Sequence, residues 1–259
     1  MDRSNRIAAV TREKEEQMLL VRALDKLERG MDREIPVHTA FLSPREQALL
    51  RHLLPNCTFF GGTAHAERKV AFYLPDYLSP EDYFSEDGPI SCLRCSFYEE
   101  GAVGHRDLLG ALMGTGIRRD AVGDLCIREK DCDIFVLAEL EHYLLDNLLS
   151  AGRQHLQMRK IPLAAAIRPP RQLKELRVTV STLRFDSVLA AGFHLSRSAT
   201  ADAIRAGLAS LDSLTCLKPD RTVQEGSELS LRGKGKLKLL SVDGLTRKGR
   251  QGLTLGIYI

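Results

Sequence analysis

The chain is short of aromatic residues and of long apolar runs. It has no tryptophan, and aromatic residues make up 6% of its 259 positions. No apolar run approaches the roughly 18 residues that a membrane-spanning helix needs. The N-terminus, MDRSNRIAAVTREKEEQ, lacks the apolar segment of a secretory signal. These absences predict a cytoplasmic protein without a membrane partner.

Cysteine occurs at six positions but without the framework of a disulfide-rich domain. Cys92 and Cys95 form a CxxC in ISCLRCSF, a predicted strand in which residues three apart point to opposite faces. The sequence has no second CxxC to complete a tetrahedral zinc site, and its seven histidines do not cluster at metal-ligand spacing. We therefore predict reduced core thiols, no metal site and no cofactor.

Charge is distributed unevenly along the chain. Residues 1–150 contain 18 Lys and Arg against 26 Asp and Glu, a net charge of −8. Residues 151–259 contain 19 against 8, a net charge of +11. Lys and Arg neutralise phosphates and supply most non-specific nucleic-acid affinity. The C-terminal half is therefore expected to bind a polyanion; a solvated basic surface without a partner is the alternative.

The overall pattern predicts an α+β protein that begins with an α/β unit over residues 1–78. Residues 1–38 are predicted to be helical, with apolar positions near helical spacing and Gly30 as a stop. Ser43 is a predicted helix N-cap, with Pro44 at the first helical position and Glu46 completing a capping box. NCTFFGGTAHAERKVAFYLP then predicts two short strands around a glycine turn.

Residues 79–166 are predicted to form a ferredoxin-like plait with the element order βαββαβ, after a boundary in the acidic, turn-rich segment 76–88. Its helices are predicted over 105–117 and 140–152, and its strands in ISCLRCSFY, GDLCIRE, CDIFVLAE and RQHLQMRKIP. RNA-binding domains, enzymes and metal carriers all use this arrangement, so it does not decide the function.

Four basic residues flank the first helix of this plait. His105 and Arg106 lie at its predicted start, and Arg118 and Arg119 follow its predicted end. A helix N-terminus beside a His-Arg pair is suited to a phosphate. All four are candidate RNA contacts, and a solvated helix rim is the alternative.

The last part, residues 177–259, follows a linker at 167–176 that its Pro-Pro pair keeps from being helical. RFDSVLAAGFHLSRSATADAIRAG, residues 184–207, predicts two short helices, the second beginning after Ser196 and ending before Gly207. A helical projection places one set of residues on one broad side: Ala199, Ala203, Ile204 and Ala206. It places another set on the opposite arc: Arg197, Ser198, Asp202 and Arg205.

Small alanines should let these two helices approach closely. Arg184, Arg197 and Arg205 would then lie side by side as planar donors suited to phosphate oxygens. The alternating KGKLKL further along predicts a strand with its lysines on one face. Arg232, Lys234 and Lys236 belong to this second basic patch, which is expected to follow an RNA backbone.

The helix pair and the later VQEGSELSLRG resemble the S4-type αL RNA-binding domain. The family pattern corresponds here to Arg184-Phe185-Asp186, Ser196-Arg197-Ser198, Ile204-Arg205-Ala206-Gly207 and Gly226-Ser227. Phe185 replaces the usual leucine, Ser227 the usual aspartate, and SLDSLTC the usual V-N-G-K-V hairpin. The resemblance implies RNA contacts from Arg184, Ser196, Arg197, Ser198 and Arg205. Asp186 is expected to pair locally with a basic group in a structural role.

Nearly the whole chain resembles the bacterial YlmH family. The resemblance rests on FFGGTAHAERKVAFYLP, GHRDLLGALMGTGIRRDAVGDL and RGKGKLKLLSVDGLTRKGRQGLTLGIYI. It implies a ribosome-associated factor that binds large-subunit rRNA and tRNA or peptidyl-tRNA during rescue of obstructed subunits. A link to division-site proteins is a weaker implication.

Two other function classes remain open at this stage. S4-type domains also occur on pseudouridine synthases, methyltransferases and a tRNA synthetase, so an RNA-modifying enzyme is the main alternative. The chain has no synthase-like aspartate motif, no HIGH-type nucleotide motif and no methyl-donor glycine loop, so we predict that it is not an enzyme. An interaction protein at the division site, with RNA binding secondary, is the third interpretation.

Overall fold

A computed structural model describes residues 3–85, 87–167, 173–247 and 249–258. The protein is of mixed α and β structure, with several antiparallel sheets. It divides into two compact units between residues 169 and 170. Half of the predicted linker, residues 168–172, lies outside the described ranges, and its last four residues are the beginning of a strand. No helix in the described ranges is both long enough and apolar enough to cross a membrane.

Unit 1 begins with helices and a small sheet. The elements are α1 (Arg3–Val10), α2 (Lys14–Arg33), β1 (Val37–Leu42), α3 (Pro44–Leu53), β2 (Thr58–Phe60), β3 (Lys69–Tyr73) and α4 (Pro80–Tyr83). The sheet order is β1-β3-β2, with antiparallel neighbours.

The predicted helix over 1–38 is wrong in its extent, since two helices and the first residues of β1 occupy that stretch. The Thr11 hydroxyl accepts a hydrogen bond from the Glu13 amide in the break between the helices. Helix α2 ends because Glu34 adopts a left-handed conformation, with φ of 53°. Pro36 then disfavours helical backbone at the residue before it.

The start of α3 confirms the predicted capping box. The Ser43 hydroxyl accepts a hydrogen bond from the Glu46 amide at 3.3 Å. The Ser43 amide donates to the Glu46 carboxylate at 2.5 Å. Pro44 occupies the first helical position, where its missing N–H costs nothing.

A second sheet completes unit 1. Its elements are β4 (Ile90–Ser96), α5 (His105–Gly114), β5 (Val122–Ile127), β6 (Asp131–Leu137), α6 (Glu141–Asn147) and β9 (Gln157–Ile161), with the short hairpin strands β7 (Ser150–Ala151) and β8 (Gln154–His155) before β9. The strand order is β5-β6-β4-β9, and all neighbours are antiparallel. The predicted helix over 140–152 is therefore too long. The chain turns at Gly152, where φ is 58°, a conformation that glycine adopts readily.

Both faces of this second sheet are buried. Leu93 and Cys95 pack with Leu108 and Leu112 of α5 on one face. Ile90, Cys92 and Phe135 on the other face pack with residues of the first sheet, Phe41, Val70 and Phe72 among them.

The glycine turn between β2 and β3 allows this close contact between the two sheets. A Cβ atom at Gly62 would lie 2.3 Å from the Phe135 ring. Arg68 strengthens the contact by donating to the carbonyls of Phe41 and Val122 at 2.8 and 3.0 Å. Residues 1–78 and 79–166 thus share a core within one compact unit, and their separation into two domains stays a prediction.

Unit 2 is a six-stranded antiparallel sheet with two helices against one face. Its elements are β10 (Leu173–Val180), α7 (Phe185–Gly192), α8 (Arg197–Arg205), β11 (Ala209–Leu211), β12 (Leu214–Thr215), β13 (Glu228–Leu231), β14 (Gly235–Leu245) and β15 (Gln251–Tyr258). The strand order is β10-β15-β14-β13-β11-β12. Apolar residues of the helices and of the inner sheet face form one core, which includes Phe185, Val188, Leu189, Ile204, Leu237 and Leu255.

Candidate nucleic-acid interface

The start of α7 is fixed by backbone contacts to a later loop. The Phe185 amide donates to the Arg221 carbonyl at 2.8 Å, and the Asp186 amide donates to the Pro219 carbonyl at 2.9 Å. Phe185, which replaces the leucine of the S4-type pattern, is fully buried. Because these contacts hold the helix start, the side chains beside it have a defined position.

Asp186 brings Arg184 and Arg197 together from the two helix starts. Arg184 donates through Nε and a terminal nitrogen to the two carboxylate oxygens, at 3.2 and 3.1 Å. Arg197 donates through Nε to one of those oxygens at 3.2 Å. The Asp186 side chain is 4% exposed, whereas those of Arg184 and Arg197 are 38% and 54% exposed. One buried carboxylate thus holds two solvent-facing guanidiniums, as the predicted local pairing of Asp186 requires.

The electrostatics of this group favour an ionised Asp186. Burial alone would raise the pKa of its carboxyl, but the hydrogen bonds and positive charges of Arg184 and Arg197 outweigh burial and lower the pKa. The carboxylate and the two guanidiniums together carry a net charge of +1, and Asp220 adds a negative charge that acts on Arg184.

Helix α8 starts as the sequence predicts. The Ser196 hydroxyl accepts a hydrogen bond from the Ala199 amide at 3.2 Å and lies 3.3 Å from the Ser198 hydroxyl. Both serines and Arg197 are exposed. Beyond the helix, Gly207 adopts a φ of 75°, in agreement with its predicted place after the helix end.

The broad side of α8 that holds most of its alanines only partly coincides with its buried side. Ala199 and Ala206 are exposed, and the buried residues are Thr200, Ala201 and Ile204. Thr200 can be buried because its hydroxyl donates to the Ser196 carbonyl at 3.0 Å, which satisfies the polar atom. Apolar character alone therefore does not identify the inner face.

The predicted grouping of three arginines is also only partly found. Arg205 pairs with Asp202 on its own helix at 2.9 Å and shares no carboxylate with the other two. The structure thus unites Arg184 and Arg197 around Asp186 and leaves Arg205 at the other end of α8.

The second basic patch lies at the turn from β13 into β14. Arg232 and Lys234 are exposed there, next to a hollow of about 360 Å³ that Arg232 and Lys236 help to line. Lys236 pairs with Glu228 at 2.5 Å, and its amino group lies 5.1 Å from the centre of the Tyr258 ring. Leu237 and Leu239 are buried, so Lys236 and Lys238 share the opposite face of the strand, as predicted.

The four basic residues predicted around α5 do not form one cluster. His105 and Arg106 are exposed in its first turn, while Arg118 and Arg119 lie beyond its last turn, about 15 Å away for a ten-residue helix. Arg118 pairs with Asp120. Arg119 donates to the Val122 carbonyl at 2.5 Å and is half-buried. His105 and Arg106 therefore face solvent with fewer competing contacts.

Two further basic residues near α5 were missed from the sequence. Arg153 and His155 are exposed in the β7–β8 hairpin, inside RQHLQMRKIP, which was predicted to be the closing strand. A Cβ atom at Gly152 would lie 3.6 Å from the Asp107 carboxyl carbon, so the hairpin tip lies against the first turn of α5. The glycine followed by a basic residue was the available signal.

The cysteines fit the prediction of core thiols. Cys92 and Cys95 are fully buried and belong to the cores on opposite faces of the second sheet. Burial raises the pKa of Cys92 to about 12. Across the residues that the structure describes, no three His, Cys, Asp or Glu side chains are grouped as ligands of a metal ion.

Comparisons with known proteins show which family the chain belongs to. Residues 98–165 match a family model described as "Putative RNA-binding domain in YlmH". The Bacillus subtilis (strain 168) "Ribosome-associated protein quality control protein P2" is 32% identical over 221 residues, covering 83% of this chain and 85% of the relative. A solved structure of "Cell division protein ylmH from Streptococcus pneumoniae" aligns with a TM-score of 0.49 and 23% identity, covering 61% of this chain and 97% of that one. From the sequence match to the Bacillus protein, the chain belongs to the YlmH family.

Proposed function

We propose that this protein is a non-catalytic RNA-binding factor that binds rRNA and tRNA on the large ribosomal subunit. In this proposal it acts in rescue or quality control of stalled ribosomes that carry peptidyl-tRNA. Unit 2 serves as an S4-type domain, and the second sheet of unit 1 with α5 and α6 serves as a ferredoxin-like domain. The RNA-binding domain match and the name of the Bacillus relative support this assignment.

The observation that carries the proposal is the exposed arginine pair held by Asp186. An arginine has five N–H donors, and Arg197 uses only one of them on Asp186. The remaining donors of both arginines face solvent in a fixed plane, which suits the oxygens of a phosphate. Because the carboxylate already orders both side chains, less conformational entropy is lost when RNA binds.

The exposed polar groups around the arginine pair extend the proposed contact. Ser196 and Ser198 offer hydroxyls at the same helix start, and Arg205 offers a further cation at the helix end. Folded RNA is recognised largely by shape and by phosphate and 2′-hydroxyl contacts, which such groups can make.

Two other groups of basic residues complete the proposed RNA contacts. Arg232, Lys234 and Lys236 would follow the backbone from the β13–β14 turn. Unit 1 would add contacts from His105 and Arg106, with Arg118 and Arg119 as the weaker candidates because of their partners within the protein.

Co-sedimentation with purified large ribosomal subunits tests the proposal. We expect Arg184→Ala and Arg197→Ala each to weaken association by about tenfold, because each loses one charge-assisted contact worth about 1.4 kcal/mol or more. The melting temperature should change little, since each variant leaves the Asp186 carboxylate paired with the other arginine. Arg177→Ala is the matched control. This exposed arginine belongs to the same unit, and its side chain is on the face of β10 opposite to that of the inward-facing Val178 and Val180. Unchanged sedimentation of both helix variants would contradict the proposal.

A further inference from the structure

The segment that matches the RNA-binding family model, residues 98–165, has little surface left for RNA on its sheet. The helices cover one sheet face, and the first sheet of the same unit covers the other. This segment therefore has no bare sheet face through which it could contact RNA. The contacts would come from the outer sides of the helices and from the loops and helix ends around the sheet.

The arginines of this segment fall into two groups of three. Those with partners inside the protein are Arg118, Arg119 and Arg128, which bind Asp120, the Val122 carbonyl and Asp133 respectively. Among the described residues, those that form neither an ion pair nor a side-chain hydrogen bond are Arg106, Arg153 and Arg159, all exposed. An exposed, unpaired guanidinium has all its donors available to an external anion.

Two of these unpaired arginines come from segments that touch each other. Gly152, which precedes Arg153, packs against Asp107, which follows Arg106. The carboxylates nearby already have donors: Asp107 accepts from the Gly104 amide at 2.9 Å, and Glu99 accepts from Gln154 at 2.9 Å. His105 and His155 are exposed neighbours in the same two segments.

We propose that His105, Arg106, Arg153 and His155, here called the α5 rim, form the RNA-backbone contact of unit 1. This inference rests on the proposed function and deepens it. It adds Arg153 and His155 to the contact surface and removes Arg118 and Arg119 from it. The rim recognises phosphates of tRNA or of rRNA, a chemistry that the two RNAs share.

Arg159 provides a matched control for the rim. It is also exposed and unpaired, and it lies on the edge strand β9. Its cross-strand neighbour is Arg94, which lies on the same sheet face as Cys92 and so faces away from α5. Arg159→Gln therefore removes one positive charge from the same segment without touching the rim.

The test measures binding of the full chain to two probes, a labelled tRNA transcript and purified large ribosomal subunits, at several salt concentrations. For the Arg106→Gln, Arg153→Gln double variant we expect about tenfold weaker binding to at least one probe. The slope of log K against log salt should fall by between about one and two, because each lost phosphate contact removes about 0.7–0.9 from it. The probe that is affected identifies which RNA the rim contacts. Arg159→Gln should bind like the parent.

Other results would distinguish failure of the α5 rim from failure of the proposed function. Unchanged affinity and slope for the double variant with both probes, while Arg184→Ala and Arg197→Ala bind weakly, overturn the rim and leave the proposed function intact. A loss of binding free energy in Arg159→Gln that equals half of the loss in the double variant also overturns the rim, because the effect would then follow total charge. A parent protein that binds neither probe overturns the proposed function itself.

Discussion

At the scale of single residues, two buried aspartates each hold two arginines, with opposite consequences. Asp133 is fully buried, and its partners Arg94 and Arg128 are only 14% and 19% exposed. Those arginines also donate to the carbonyls of Ala165 and Ile167, at 3.0 and 2.7 Å. Arg94 and Arg128 therefore use their N–H donors inside unit 1, whereas the arginines on Asp186 have donors that face solvent. An aspartate paired with two arginines therefore stabilises the interior of unit 1, whereas in unit 2 the same arrangement holds arginine donors at the surface.

Asp133→Asn should destabilise unit 1 strongly. The carboxylate accepts hydrogen bonds from both arginines and from the Ile167 amide at 2.7 Å. Neutralising it leaves the poorly solvated Arg94 without a counterion and leaves Arg128 with Asp131 alone. We expect a loss on the order of 3 kcal/mol, measured by urea denaturation and circular dichroism. Asp202→Asn, which breaks an exposed pair, should cost less than about 1 kcal/mol. Equal costs for the two variants would contradict this assignment.

The stabilisation by Asp133 should also depend on pH. Burial would raise the pKa of Asp133, but the bonds from Arg94, Arg128 and Ile167 outweigh it and lower the pKa in the folded protein. A lowered pKa gives stability that is fully present above the unfolded value of about 3.9 and is lost as pH falls through the folded value. The stability difference between the parent and Asp133→Asn should therefore shrink below about pH 4. A stability difference that grows on acidification would contradict a lowered pKa of Asp133 in the folded protein.

At the scale of elements, helix starts were easier to predict than helix ends. Ser43 and Ser196 cap their helices through local hydrogen bonds, which depend on residues three positions away. The ends of α2 and α6 depend instead on backbone conformation at Glu34 and at the hairpin around Gly152, which the apolar periodicity does not record. The inner face of α8 only partly coincides with its alanine-rich side because a threonine with a satisfied hydroxyl packs inward in place of an alanine.

The close packing of α7 on the sheet of unit 2 gives a prediction at this scale. A Cβ atom at Gly192 would lie 2.4 Å from a methyl group of Leu237, which is fully buried. Gly192→Ala should therefore destabilise unit 2 by about 1–3 kcal/mol through overpacking. Gly110→Ala in α5 is the control, since nothing lies within 4 Å of its Cβ position. Gly110→Ala should stabilise unit 1 by about 0.5–1 kcal/mol. Thermal unfolding of both variants measures these changes. A Gly192→Ala variant with the stability of the parent would refute the close packing of α7 on the sheet.

At the scale of the whole molecule, the charge asymmetry and the order of elements were the informative features of the sequence. In unit 1, strands β4, β5, β6 and β9 and helices α5 and α6 follow one another in the predicted order, with the hairpin β7–β8 added before β9. In unit 2, the helix pair precedes the basic strand β14, as predicted. The contact between Gly152 and Asp107 joins residues 45 positions apart and depends on tertiary packing, so no local pattern could reveal Arg153 as a neighbour of α5. Two RNA-contacting units on one chain would bind more tightly together than either alone, because the second contact becomes intramolecular.

Crosslinking in living cells tests the central claim most directly. Ultraviolet crosslinking of the full chain, followed by identification of the crosslinked peptides and RNA, shows which residues touch which RNA. We expect peptides that contain Arg184 and Arg197 to carry fragments of large-subunit rRNA or tRNA. Crosslinks to those RNAs that avoid residues 184–207 altogether, or recovery of no ribosomal or transfer RNA, would contradict the account.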